Sequence, residues 1–153
     1  MNSIHTNIVV YKSLGDLCEI IIGKRVNVYS KRGKYKVYDK YGPTKFNTNT
    51  TCNTTSNLNC LLTVSQKNPV ILLTNQFYLC ESGMMIKSKN ENILNDYLMF
   101  YIYMIKHKIS DCISKNYLNI DLFNNILIPI PDIKTQNELI DIFKKLIILN
   151  IHF

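Results

Sequence analysis

Short apolar runs broken by polar residues fill the first half of the chain, and two long helical periods fill the second. Residues 7–11 suit a short strand. Ser13 stands as an N-cap before Leu14, Leu17, Cys18, Ile21 and Ile22, with Asp16 at N3 in a variant of the capping box. This predicts a short helix over 14–22, closed by Gly23. Residues 34–38 alternate charge and bulk, the pattern of a half-exposed strand, and Tyr41-Gly42-Pro43 reads as a turn. Residues 47–59 are almost wholly Asn, Thr and Ser. Those side chains bond to the nearby backbone, so a loop is predicted. Strands are predicted over 61–64, 70–74, 77–80 and 84–87, each short and separated by polar or Gly breaks.

A long helix follows over 93–109, capped by Asn90 or Asn92. Leu94, Tyr97, Leu98, Phe100, Tyr101, Ile102, Met104 and Ile105 cover most of its circumference. A helix apolar all round is buried on more than one side, so its aromatic stripe reads as core and not as a cofactor box. Residues 119–125 suit a turn or a single helical turn. Residues 126–130 form the last strand. Pro129 and Pro131 end it, since proline fixes φ and donates no hydrogen bond. The last helix spans 135–150, with Leu139, Ile142, Phe143, Leu146, Ile147 and Leu149 apolar. That stripe is wide enough to dock on its own domain or on a partner. The expected fold is α/β (α+β): one globular domain over 1–134 with a twisted β-sheet and one long buried helix, then a C-terminal helix over 135–153. A length of 153 residues suits one domain with a real core.

Charge changes the picture more than composition does. Between residues 24 and 45 lie Lys24, Arg25, Lys31, Arg32, Lys34, Lys36, Lys40 and Lys45, against the single acid Asp39. Eight minus one is +7, the net charge of the whole chain; the remaining ten basic and ten acidic residues cancel. A concentrated excess of this kind is the footprint of a polyanion binder. Tyr29, Tyr35, Tyr38 and Tyr41 stand between the charges and can bond phosphate or pack on sugar and base faces. The plainer alternative is an exposed hairpin kept soluble by lysine, with tyrosines on its buried face.

Other chemistry is sparse. Cys18, Cys52, Cys60, Cys80 and Cys112 form no C-x-x-C, and His5, His107 and His152 fall at no metal-ligand spacing. Reduced thiols in an intracellular, cytoplasmic protein are expected; a Cys52–Cys60 bridge across a hairpin loop is the alternative. The N-terminus lacks the basic start and long apolar run of a secretory signal. Residues 94–113, the most apolar long window, contain Asp96, Lys106, His107, Lys108 and Asp111, too interrupted to cross a bilayer. The sequence holds no Gly-rich AdoMet loop, no Asn-Pro-Pro-aromatic methyltransferase motif and no P-loop. Asp132 and Lys134 lack the second acidic cluster of a nuclease. No cofactor, no metal and no enzymatic activity are expected.

Several short segments, in order, resemble the target recognition domain of the DNA-specificity subunit of type I restriction–modification systems. Leu14-Gly15-Asp16-Leu17, followed by residues 20–23 and Lys24, resembles the opening of these domains. Tyr35-Lys36-Val37-Tyr38 and then Gly42 resemble their Tyr-Pro-Val-Tyr-Gly strand and turn. Thr74-Asn75 before Phe77, residues 94–103, residues 120–122 and the Pro-x-Pro exit leading to Gln136 complete the series. The chain departs from the pattern at Ser65-Gln66-Lys67-Asn68-Pro69, where a Gly-rich segment is usual, and at Thr135, where an acid is usual. It also has one such domain where the family's subunits have two, and its C-terminal helix is short against their spacer helix.

The resemblance implies recognition without catalysis: binding one half of a two-part site on double-stranded DNA and presenting it to partner adenine methyltransferase and restriction subunits. Lys24, Arg25, Lys31, Arg32, Lys34, Lys36 and Lys45 are the candidate phosphate contacts. Lys40, Thr44, Gln66 and Asn68 are the candidate base readers. The alternative is a non-reading remnant or decoy that docks a methyltransferase or a specificity subunit through Leu139, Ile142, Phe143 and Leu146. Two copies pairing antiparallel through this last helix would read both halves of a two-part site.

Overall fold

Ser13 does cap a helix, its hydroxyl accepting from the Asp16 N–H at 3.3 Å, but that helix lasts a single turn. The computed structural model of the chain describes residues 9–50 and 58–151. Its first elements are β1 (Val10–Ser13), α1 (Leu14–Leu17), β2 (Cys18–Ile22), β3 (Tyr35–Asp39), β4 (Gly42–Thr48), β5 (Asn59–Leu62), β6 (Val70–Leu73), β7 (Tyr78–Leu79) and β8 (Met84–Ser88). There follow α2 (Asn95–Met104), α3 (Lys106–Ser110), β9 (Ile113–Ser114), β10 (Tyr117–Leu118), α4 (Ile120–Asn124), β11 (Leu127–Ile130) and α5 (Ile133–Ile151).

The helix expected over 14–22 is therefore a turn of helix followed by a strand. Ile20, Ile21 and Ile22 are β-branched and suit a pleated surface. They pair antiparallel with β8, in a register running from Cys18↔Ser88 to Ile22↔Met84. Gly23 is not a helix cap. Its N–H donates to the Gly83 carbonyl at 3.1 Å, and a Cβ there would stand 2.2 Å from the carbonyl oxygens of both Leu79 and Cys80. The expected turn at 41–43 is also tighter: Gly42 and Pro43 already belong to β4, paired with Asp39 and Tyr38.

The strands make more than one sheet. A four-stranded antiparallel sheet has the order β2-β8-β5-β6. A three-stranded sheet has the order β4-β3-β7, with β7 parallel to β3. Two ribbons, β1-β11 and β9-β10, flank them. Alternation along β5 joins the layers. Cys60 and Leu62 enter the main core, with Tyr97, Leu98 and Ile102 of α2 and Ile140 and Phe143 of α5. Leu61 faces the other way and packs with Phe77, Leu79 and Tyr38 beneath the three-stranded sheet. On the far side of that sheet Val37 and Tyr78 are covered by Val26. Helices, four-stranded sheet, three-stranded sheet and the stretch over 24–34 thus lie in succession, with that basic stretch outermost.

Gln136 joins three parts of the fold. It is fully buried, and its Oε1 accepts from the Leu94 N–H at 2.8 Å. Its Nε2 donates to the Pro131 carbonyl at 2.8 Å and to the Asn92 carbonyl at 3.3 Å. The start of α2 is thereby capped from α5, so neither Asn90 nor Asn92 serves as the expected cap; the N-cap residue is Leu94 and offers no side-chain bond. Tyr97 reaches the other proline, donating from its hydroxyl to the Pro129 carbonyl at 2.7 Å. Asp132 caps α5 by accepting from the Thr135 N–H at 2.7 Å, which starts that helix at Ile133 and holds the carboxyl below its ordinary range. The long helix expected over 93–109 breaks at Ile105, where φ is −98° and ψ 23°. The break redirects the chain so that Ile109 is buried beside Cys112 and Ile113.

Cys18, Cys60, Cys80 and Cys112 are free thiols; Cys52, the other half of the alternative hairpin bridge, lies outside the described residues. Burial pushes the Cys18 thiol up to about 12, against an opposing pull from Lys89, and pushes Cys60 higher still. Only the thiolate is nucleophilic, so both are unreactive while folded. Alkylation of the native protein at neutral pH, mapped by peptide mass, is expected to mark the partly exposed Cys80 well before Cys18 or Cys60; early labelling of Cys60 would contradict this packing.

Candidate nucleic-acid interface

The basic segment is tied down at both ends and along its length. The Lys24 N–H donates to the Leu79 carbonyl at 3.1 Å, and the Arg25 carbonyl accepts from the Tyr78 hydroxyl at 2.8 Å. Further on, the Thr48 hydroxyl donates to the Val28 carbonyl at 2.8 Å, and the Ser30 N–H donates to the Asn47 carbonyl at 2.9 Å. A turn closed by the Gly33 N–H on the Ser30 carbonyl, at 3.0 Å, puts Lys31 and Arg32 at its two central positions. The side chains at these positions project outward. The Lys34 N–H then donates to Asn49 Oδ1 at 3.2 Å. The turn fits against β4 because residue 33 is glycine: a Cβ would lie 2.5 Å from the Thr48 nitrogen.

Lys24, Arg25, Lys31, Arg32, Lys34, Lys36 and Lys45 are all exposed. Lys36 stands opposite Asn47 in register, and the Lys34 ammonium lies 5.5 Å from the Tyr35 ring centroid. Asp39, the one acid, accepts from the Tyr41 N–H at 2.7 Å and shapes the β3–β4 turn. Lys45 sits in an irregular stretch: Lys36 pairs with Asn47 and Tyr38 with Pro43, so residues 44–46 bulge opposite Val37. Thr44, one of the expected base readers, closes that bulge. Its hydroxyl donates to the Val37 carbonyl at 2.8 Å and accepts from the Phe46 N–H at 3.1 Å. It is occupied in holding the sheet.

The other expected base readers converge at the far end of the hairpin. Lys40 lies at its turn, the ammonium 5.2 Å from the Tyr41 ring centroid. Its carbonyl accepts from the Val64 N–H at 2.8 Å, which fixes the turn beside the loop over 65–68. Gln66 donates its Nε2 to the Ile113 carbonyl at 2.8 Å, and its own carbonyl accepts from the Ser110 hydroxyl at 2.9 Å. Asn68 is exposed, with its carbonyl taken by the Thr63 hydroxyl at 2.6 Å. Tyr41, Gln66, Lys67, Lys115 and Asn116 line a shared surface cleft of about 360 Å³. Lys67, Lys115 and Asn116 are functional candidates that the sequence reading missed. Lys115 and Asn116 both have positive φ, 50° and 59°, as the central residues of the two-residue β9–β10 hairpin require. A Lys-Asn pair between two short apolar runs was the signal for that turn; its arrival beside Lys67 is a product of topology.

On α5, Phe143 is buried against Tyr97 and Tyr101, with ring centroids 6.4 and 6.2 Å away, and Leu139 packs on the same core. Ile142 and Leu146 remain 51% and 41% exposed. Of the four apolar positions expected to face a partner, two are thus turned into the domain itself. Among the described residues no helix is long and apolar enough to cross a membrane, and no group of three metal-ligating side chains is present.

Residues 8–152 match the family model of the type I restriction modification DNA specificity domain. No curated protein sequence matches the chain. Among solved structures, the type I restriction-modification system S subunit from M. genitalium is similar over 92% of this chain and 39% of its own, with 13% identity and a TM-score of 0.73. The HsdS subunit from Thermoanaerobacter tengcongensis is similar over 94% of this chain and 38% of its own, with 15% identity and a TM-score of 0.60. A chain solved in work on complex assembly and conformational transition of the type I R-M system gives 95%, 40%, 14% and 0.65. At these identities the likeness is one of fold, and the chain spans about two fifths of the length of each.

Proposed function

Because this chain belongs to the family of type I restriction modification DNA specificity domains, we propose that it recognises double-stranded DNA as a single target recognition domain, without catalysis of its own. One observation carries the reading to particular residues: the entire net positive charge of the chain lies between residues 24 and 45, in the strap over 24–34 and the β3–β4 hairpin it packs on, and every basic side chain there except the half-exposed Lys40 is exposed. Lys24, Arg25, Lys31, Arg32, Lys34, Lys36 and Lys45 contact phosphates and set the register on the duplex. Base edges are read from the hairpin turn and the loops around the cleft, by Lys40, Gln66 and Asn68 together with Lys67, Lys115 and Asn116. Of the base readers first expected, Thr44 supports the layer from within.

The bound half-site is presented to methyltransferase and restriction subunits. The reading unit is residues 1–134, and the helix from 135 onward provides a contact to another chain. The exposed Ile142 and Leu146 support that second part, which includes antiparallel pairing of two copies. Sedimentation at micromolar concentration is expected to show a dimer; a monomer there would remove the pairing and leave the DNA reading intact.

Selection from a randomised duplex pool tests the recognition itself. Enrichment of one short motif is expected, and recovery of unenriched sequence would sink the proposal. A second expectation follows from the close approach of the turn to β4. Gly33→Ala should push Lys31 and Arg32 off their positions and lower the slope of log affinity against log salt by roughly 1–2. An unchanged slope in that variant would show that the turn does not touch the phosphates.

A further inference from the structure

The basic layer carries an apolar crest that phosphate binding does not explain. Val28 is 70% exposed, Tyr29 54% and Phe46 52%. The Tyr29 and Phe46 rings pack on one another with centroids 4.8 Å apart and planes at 45°. Two strapped elements hold them: Val28 through its carbonyl on the Thr48 hydroxyl, and Phe46 through its N–H on Thr44. The rings are fixed in place while remaining exposed, at a cost in hydration that nothing among the described residues relieves. Lys31 and Arg32 follow Tyr29 in the chain, and Lys45 precedes Phe46. An apolar crest edged by cations suits a surface that is anionic at its margins and apolar within. The major groove of a duplex is such a surface, with phosphates at its edges and thymine C5-methyl groups inside. It is about 12 Å wide and admits a two-stranded ribbon; β3 and β4 pair without β7 at Tyr35↔Thr48 and Lys36↔Asn47, next to Phe46. The ring centroids are 4.8 Å apart, too close for an unstacked base to enter between them. The pair offers ring edges and outer faces, the geometry of van der Waals contact with a methyl group.

We propose that Tyr29 and Phe46 form a thymine-methyl contact in the major groove, and so select A·T pairs at fixed positions of the recognised site. The inference rests on duplex recognition by this domain and adds to it the base class that the crest selects. The test uses the full chain and the duplex enriched from a randomised pool, with each thymine in turn replaced by uracil, which removes the methyl group and nothing else. At one or two positions the replacement should weaken wild-type binding about fourfold, the worth of one buried methyl group. The Tyr29→Ala/Phe46→Ala double variant should bind the thymine duplex several-fold more weakly, with an unchanged salt slope and no further loss on uracil replacement. Tyr29→Leu/Phe46→Leu, still apolar, should keep the thymine preference, and this separates contact from misfolding. If uracil replacement has no effect on the wild type, or weakens the double alanine variant equally, the methyl contact is wrong while recognition stands. If no duplex binds with salt dependence, the recognition reading fails and this inference falls with it.

Discussion

Gln136→Leu is expected to destabilise the protein by about 3 kcal/mol, since three hydrogen bonds from one buried side chain to part-buried backbone groups are lost at about 1 kcal/mol each. The side chain is fully buried and serves the Leu94 N–H and the carbonyls of Pro131 and Asn92 at once. Leucine is close in size, so little of the loss comes from packing. For a chain of this length the midpoint of thermal unfolding should fall by about 6–12 °C. Gln136→Glu sharpens the test through its pH dependence. A carboxylate can accept from Leu94 but faces two carbonyl oxygens to which it cannot donate. Folding therefore favours the protonated form and raises the carboxyl above its unfolded value. The variant should be most stable in acid and should lose stability as pH rises above about 4, relative to wild type. Equal thermal midpoints for wild type and Gln136→Leu would show that the clamp contributes nothing.

Replacing Arg32 and Lys34 together with alanine is expected to weaken binding to every duplex by nearly the same factor and to lower the salt slope by roughly 2. Arg32 occupies a central turn position and both side chains are exposed, so the fold should be unaffected. Phosphates are present at every step of every duplex, and their loss as contacts carries no sequence information. Replacing Lys67 and Lys115 in the cleft should act otherwise, with larger losses on the enriched site than on unrelated duplex. Competition binding with both duplexes distinguishes the two patterns. A loss confined to the enriched site in the Arg32/Lys34 variant would move these residues from phosphate to base contact.

Much of this architecture is legible in the chain because local signals agree with tertiary contacts. The strands β3, β5, β6, β8 and β11 and the turn of helix after Asn119 lie within a few residues of their predicted places. The failures are equally specific. Cys18 to Ile22 reads as helix by spacing, yet pairing with β8 captures it, since an isoleucine run fits either period. The cap of α2 comes from a glutamine 42 residues away, which no local rule detects. The charge excess was visible by counting, whereas the meeting of Lys67 with Lys115 depends on how the β9–β10 hairpin sits beside the loop over 65–68. Threonine can read bases, and Thr44 was expected to; it lies inside the bulge over 44–46, where its hydroxyl bonds the Val37 carbonyl and the Phe46 N–H, a placement that no local pattern shows.

The most direct test of the account is an equilibrium titration of the whole chain against the enriched duplex at 50 and 200 mM salt. With about six phosphates neutralised by the layer over 24–45, affinity should fall by about 10³ across that interval. An affinity that stays constant between the two concentrations would contradict the assignment of this layer to DNA.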